Sequence, residues 1–378
     1  MQWTIINGRQ SHDKGRPGAK RSAQLAVWLS LVAVSLLPGC GRSASSSTPT
    51  QAPVPTELVL YNWVDYMPQA VLDGFAQEYG IQIVYDTFDS TEEAIAEIRA
   101  GKAFDVAVVE NHDMPSLVAG GLVAQIDYSH VPNFRNISAN FRDLTFDPGN
   151  KYSVPYNWGT TGLLVRSDLV DPPVTRWADL WDARYAGKIA VRAQANELIG
   201  IALMSLGYPL NSEVPAQLEA AQAQLLKLKP AVRFVGVEAE SAVAELVSGE
   251  VVVLIGWPGD ELVARSHNPA IQYVLPDDGV PLWGDSFVIS AKSPYQPAAE
   301  LFINYLLQPE VAAQIAHTYY YATTNEAALP LIKPEIRNDP TIYPDLGSIE
   351  SLMWYMPLSL AGEQMYADVW ARSLGSGQ

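Results

Sequence analysis

The sequence predicts an α/β fold, and three observations carry that prediction. From Glu57 onward, strand-like runs alternate with helical runs, the strand runs are apolar, and prolines and glycines punctuate the joints. Apolar strands separated by helices imply a mainly parallel sheet whose faces are covered. In such sheets ligands sit beyond the carboxyl ends of the strands.

The elements follow in order. "ELVLYNW" reads as a strand. "PQAVLDGFAQEYG" reads as a helix, with Pro68 in its first turn and Gly80 at its end. "IQIVYDTF" is the next strand. "STEEAIAEIRAG" is a helix with a Ser/Thr cap and a following glutamate, and "FDVAVVE" is a third strand. A second block holds strands "TGLLVRS", "KIAVRA", "VRFVG" and "EVVVLIGW", interleaved with helices "ANELIGIALMSLG", "VPAQLEAAQAQLLKL" and "ESAVAELVSG". "DSFVISAKS" leads into one long predicted helix, "PAAELFINYLLQPEVAAQIAHTYY", and the tail after Thr323 is proline-broken and helical.

The N-terminus reads as a lipoprotein leader. Basic residues ending in "AKR" precede the apolar run 23–37, too short to span a bilayer but suited to a signal-peptide core. Leu37, Pro38, Gly39 and Cys40 then match a bacterial lipoprotein box. Residues 1–39 are the expected signal peptide, Cys40 the lipidated residue, and 40–56 a Ser/Pro/Thr-rich tether to the membrane. Cys40 is the single cysteine, so no intramolecular disulfide or cysteine metal cluster is expected.

The formal net charge is −17. The first 39 residues hold five bases and one acid, which leaves nineteen bases against forty acids, a balance of about −21. Such a surface disfavours nucleic acid and anionic lipid and favours cations. No HExxH pattern, GxSxG elbow or P-loop occurs, and paired carboxylates lack any flanking sign of glycosidase chemistry, so an enzyme is not expected. No cofactor or metal is expected either.

Aromatic–carboxylate pairs recur at predicted strand and helix ends. Trp63, Asp65 and Tyr66 follow the first strand, Glu110 and His112 the third, Trp257 and Asp260 close "GWPGD", and Trp283 and Asp285 lie in "WGD". Each alone has a structural reading. The tryptophans fit as packing residues, Asp65 as a helix cap and Glu197 as a first-turn charge. Trp177 and Trp181, four apart in "WADLW", read as packing.

Taken together, "YNWVDYMPQAVLDGFAQEYGIQIVYDTFDS", "YSVPYNWGTTGLLVRSD", "WADLWDARYAGKI", "IGWPGDELVAR", "WGDSFVIS" and "INYLLQPEVAAQIAHTYYYATTNEAAL" resemble periplasmic polyamine-binding proteins, the spermidine and putrescine receptors of ABC importers. The resemblance covers nearly the whole chain after the tether. It implies a type II periplasmic-binding-protein fold, with one lobe from residues 57–156 plus 286–320 and the other from 157–285 plus 321–378. The chain is expected to cross near 152–159, return near 285–290 and cross again near Tyr321.

The resemblance also implies the ligand's contacts. A polyamine is a methylene chain carrying ammonium groups, which carboxylates fix and aromatic faces sandwich. Trp63, Tyr66, Trp257, Trp283 and Tyr321 match the aromatic positions, and Asp65, Glu197, Asp260 and Asp285 the carboxylates. Three places depart from the family pattern. Glu110 and His112 stand where a small hydroxyl residue and an aromatic are usual, and Gln194 replaces an aspartate three residues before Glu197. A protonated His112 would repel an ammonium group, so affinity is expected to weaken toward acid pH.

The expected partners are a polyamine, a membrane permease and the bilayer through Cys40, with the receptor a monomer. Agmatine, thiamine or another cationic metabolite is the alternative ligand. A ferric ion held by His317 and the tyrosines of "HTYYYA" is a further one.

Overall fold

The computed structural model describes residues 55–347, 349 and 351–375. The leader, Cys40 and nearly all of the tether lie outside them.

Strand β1 (Glu57–Trp63) opens the first sheet, and helix α1 (Gln69–Tyr79) brings β2 (Gln82–Phe88) back parallel to it. Helix α2 (Thr91–Ala100) leads to β3 (Val106–Glu110), which lies parallel to β1 on its other side, and short α3 (Met114–Ala119) follows. Local sequence sets the helix ends. Pro68 is the N-cap of α1, and Gly80, at φ +72°, stops it with its N–H on the Ala76 carbonyl. Ser90 caps α2 by accepting from the Glu93 N–H at 3.3 Å.

Strand β4 (Ser153–Thr160) is buried along its whole length, and one residue later β5 (Gly162–Arg166) begins the second sheet. That sheet gathers β6 (Ile189–Val191), α4 (Ala195–Ser205), α5 (Pro215–Leu228), β7 (Val232–Phe234) and α6 (Ala239–Ser248). β8 (Val253–Gly256), α7 (Pro258–His267) and β9 (Ile271–Val274) complete it, in strand order β7-β6-β8-β5-β9. Strand β10 (Val280–Ile289) returns to the first sheet, antiparallel to both β3 and β4.

Helices α8 (Gln296–Leu306) and α9 (Pro309–Tyr319) then cover the first sheet. The chain ends with β11 (Ala322–Thr323), α10 (Pro334–Arg337), β12 (Leu352–Trp354) and α11 (Leu360–Arg372). The order of the first sheet is β11-β4-β10-β3-β1-β2, with β12 beside β10.

Each sheet has its own core. The apolar face of α1 (Val71, Leu72, Phe75) packs on α8, with the Phe75 ring 4.8 Å from Phe302 and 5.4 Å from Tyr305. In the second core Trp177 is fully buried and its Nε1 donates to the Gly279 carbonyl at 2.8 Å, and Trp181 Nε1 donates to the Gln224 carbonyl at 2.9 Å. Both tryptophans therefore pack, their indole N–H groups satisfied inside the protein.

The structure has the two-lobed α/β architecture, with four differences from the expectations above. The sheets are mixed, not mainly parallel: in the first, β10 runs antiparallel to β3 and β4, and in the second, β5 runs antiparallel to β8 and β9. The expected single helix over 297–320 is two, because Pro309 lacks an N–H and holds Gln308 extended (φ −64°, ψ 135°). The chain crosses at Thr161 and returns through 275–279. The last crossing follows β12, since Ala322, Ala328, Ile332, Ile336 and Ile342 all join the first core, while Tyr355, Tyr366 and Val369 join the second.

Candidate functional site

A cleft of about 320 Å³ separates the lobes, and both supply its walls. All the residues expected to bind ligand line it except Asp260.

The first-lobe wall is built where β1 and β3 run out. After Trp63 the chain turns sharply, and Asp65 adopts left-handed backbone (φ +51°), a conformation aspartate tolerates better than most residues. Asp65 is exposed at the mouth of the cleft and caps no helix. That turn drives Tyr66 inward, where its hydroxyl donates to Asp285 Oδ2 at 2.5 Å. Tyr66 stands edge-on to Tyr156 and Tyr321, and Trp283 stands edge-on to Tyr321 at 5.5 Å. Gly159 makes this aromatic floor possible, since a Cβ there would lie 2.3 Å from the Trp283 ring.

Glu110, the last residue of β3, is paired with Asp285 in the antiparallel register. Its Oε1 accepts the Thr91 hydroxyl at 2.9 Å, and its Oε2 lies 3.2 Å from His112 Nδ1. His112 Nε2 is 3.7 Å from Asp113 Oδ2. Burial disfavours the imidazolium, but Asp113 and Glu110 outweigh it and raise His112 to about 10. Burial likewise pushes Asp113 up to about 7 against the pull of His112, whereas Glu110 is held below the usual carboxylate range by that imidazolium despite its burial.

The second-lobe wall comes from the starts of α4 and α7. Glu197, in the first turn of α4, is raised to about 7 by burial, with Arg192 opposing and Glu110 adding to the shift. Gln194 crosses the cleft, its Nε2 donating to the Asp89 carbonyl at 3.1 Å. Trp257 caps α7 and lies against the Arg192 guanidinium at 4.2 Å.

Asp260 corrects the sequence reading. It is 1% exposed, bound to Arg192 at 2.6 Å and to the Trp257 N–H at 2.8 Å, so its charge is already spoken for. The signal was Arg192 in "KIAVRA". A base at the end of a buried strand needs a buried acid. The ferric alternative also loses its histidine, because His317 Nε2 accepts from the Lys333 N–H at 3.0 Å and lies off the cleft.

Several cleft residues escaped sequence reasoning, among them Tyr355, Thr161 and Glu92. Tyr355 comes from the tail, in "MWYMP", where an aromatic pair before a proline was the available sign. Thr161 is the crossing residue itself. Glu92, read only as part of a helix start, reaches over the cleft and accepts the Ala195 N–H at 3.1 Å, so it caps a helix of the other lobe. Tyr319 and Tyr320 of "HTYYYA" also line the cleft.

Among the described residues, five buried polar atoms here have no hydrogen-bond partner: Thr161 Oγ1, Glu197 Oε1, Asp285 Oδ1, Trp283 Nε1 and Tyr355 Oη. Burial, with Glu110 adding to it, pushes Asp285 well above the usual carboxylate range. Orphaned buried groups of this kind cost about 1–3 kcal/mol each, and N–H donors of a bound molecule remove that cost at the oxygen atoms, though not at the Trp283 indole N–H. The walls suit an apolar chain ending in N–H donors, with aromatic faces along it and carboxylate oxygens at its ends.

Comparison with known proteins agrees with this geometry. A family model described as bacterial extracellular solute-binding protein matches residues 70–344. The spermidine/putrescine-binding periplasmic protein of Escherichia coli is 38% identical over 300 residues, covering 79% of this chain and 86% of that protein. The putrescine/agmatine-binding protein of Pseudomonas aeruginosa is 31% identical over 361 residues, covering 90% and 97%. The solved spermidine/putrescine ABC transporter substrate-binding protein of Streptococcus pneumoniae superposes with a TM-score of 0.70 at 34% identity, covering 84% of this chain and 98% of that one. The chain belongs to the bacterial extracellular solute-binding protein family.

Proposed function

We propose that this protein is the substrate-binding component of an ABC importer and captures a polyamine, putrescine or spermidine, on the outer side of the cytoplasmic membrane. One observation carries the reading. Glu197 and Asp285, buried on opposite walls of an aromatic-lined cleft, have no ion pair with a protein cation among the described residues. A ligand with an ammonium group at each end satisfies both, and bridging two lobes gives it differential affinity for the closed form. The loaded receptor then docks on a permease, with the Cys40 lipid and tether holding it nearby. The relatives that bind putrescine, spermidine or agmatine support the ligand class. The lipoprotein box supports the anchor.

The test is calorimetric titration of the chain beginning at Gln51, which forms a compact unit, with putrescine, spermidine, agmatine, thiamine and ferric citrate. Tight one-to-one binding of a polyamine is expected. Binding of thiamine or ferric citrate alone would replace the reading. Loss of palmitate labelling in Cys40→Ser tests the anchor.

A further inference from the structure

Every other buried carboxylate around the cleft already has a cation of its own. Asp260 is held by Arg192, and Glu110 and Asp113 flank His112 at 3.2 and 3.7 Å. The His112 side chain is 8% exposed, and the groups facing it come from four elements: Glu110 from β3, Glu92 from α2, Asn196 from α4 and Tyr355 from the tail, with Asp113 beside it. Both oxygens of Glu110 are occupied, one by the imidazole and one by the Thr91 hydroxyl. Two buried carboxylates, Glu197 and Asp285, are left for a ligand. Three further carboxylates line the cleft, Asp65, Glu92 and Glu240, but all three are exposed, where an ion pair contributes little.

We infer that His112 is a built-in cation that occupies the place of a ligand ammonium group, neutralises Glu110 and Asp113, and tunes the cleft to a linear diamine over a triamine. The inference rests on the polyamine reading above and deepens it. Volume does not make the choice, because a cleft of about 320 Å³ admits either chain. Charge count makes it. A third ammonium group buried here finds no free carboxylate and meets the imidazolium instead, and an unpaired buried charge is costly. Selection by a repulsive element is a general route to specificity between ligands that share their attractive contacts.

The experiment titrates the wild-type chain beginning at Cys40, His112→Gln and His112→Lys with putrescine and spermidine at pH 7.5. The wild type is expected to prefer putrescine. His112→Gln frees Glu110 and Asp113, so the putrescine-to-spermidine affinity ratio is expected to fall by about tenfold or more. His112→Lys keeps a cation and the preference, whatever it does to absolute affinity.

A wild type that binds spermidine as tightly as putrescine, or a His112→Gln ratio within about threefold of wild type, overturns the inference while the polyamine reading stands. A wild type that binds neither amine removes the polyamine reading itself. Should His112→Gln fail to fold, NMR of the His112 ring in the wild type decides. A ring that stays protonated to pH 8, free and putrescine-bound, supports the inference, and a neutral ring at pH 8 ends it.

Discussion

Asp285 and Glu110 face each other across strands β10 and β3, so a buried and a partly buried carboxylate stand side by side on one surface of the first sheet. Like charges in directly opposed positions destabilise an antiparallel pair. The protein offsets this unevenly, giving Glu110 the His112 imidazole and Asp285 only the Tyr66 hydroxyl. Asp285 therefore holds its proton more tightly folded than unfolded. That stabilisation is fully present below the unfolded pKa of about 4 and is lost as pH rises through the higher folded value.

Asp285→Asn removes the repulsion while keeping an acceptor for Tyr66. The unliganded variant is expected to be more stable than wild type at pH 8, by about 1 kcal/mol, with the difference vanishing near pH 4. It is also expected to lose about 30-fold or more in polyamine affinity. Thermal melts at the two pH values, with and without putrescine, check both. A variant less stable than wild type at pH 8 contradicts the account.

Glu197 and Asp285 both hold their protons in the empty cleft, and Glu197 sets the part of the pH dependence that falls near neutrality. Raised to about 7, it is half neutral in the empty cleft near neutrality and must ionise to hold an ammonium group. Affinity is expected to fall by up to about tenfold per pH unit below 7, and Glu197→Gln to bind weakly with a flatter profile. This changes the origin of the effect expected from the sequence. His112, held near 10, stays charged from pH 5.5 to 8 and adds no step there. Calorimetry across that range separates the two, since a profile unchanged by Glu197→Gln points elsewhere.

Asp260 separates binding from folding. As the partner of a nearly inaccessible Arg192, it stabilises the wall behind Trp257 and does not touch the cleft. Asp260→Ala leaves a buried guanidinium unpaired, and the expected cost is about 3–5 kcal/mol of stability. Replacing both partners, as Arg192→Met with Asp260→Leu, is expected to cost less than the single change. Urea unfolding of the three variants reads this directly, and a fully stable Asp260→Ala that has lost only ligand would restore its role as a contact.

The contrast between Asp260 and Asp285 marks what was legible in the sequence. Alternating strands and helices, the Ser90 and Gly80 helix ends and the aromatic–carboxylate pairs depend on local chemistry, and the structure has them where the pattern put them. Whether a carboxylate is free depends on a partner 68 residues away for Asp260 and 219 for Asp285, which no local pattern carries. The mixed sheet order escaped for the same reason. Strand direction at β4 and β10 is set by chain crossings, not by residue type. Tyr355 escaped because it enters the cleft from a tail whose register is fixed by β12 pairing with β10.

Glu92 closes the cleft. Its Oε1 takes the Ala195 N–H at 3.1 Å, and Gln194 returns a bond to the Asp89 carbonyl, so each lobe holds a backbone group of the other. Arg99 and Glu363 add an exposed ion pair between α2 and α11 at 3.1 Å, worth little in water. The helix-end contact carries more, because a carboxylate at an N-terminus meets both unpaired N–H groups and the helix dipole, typically contributing about 1 kcal/mol. These bonds exist only when the lobes meet, so they add to the ligand's own preference for the closed state. Glu92→Ala is expected to weaken polyamine binding about fivefold, mainly through faster dissociation, while Arg99→Ala changes it less than twofold. Stopped-flow tryptophan fluorescence measures the dissociation rate, and small-angle scattering of unliganded Glu92→Ala should show a more open average than wild type.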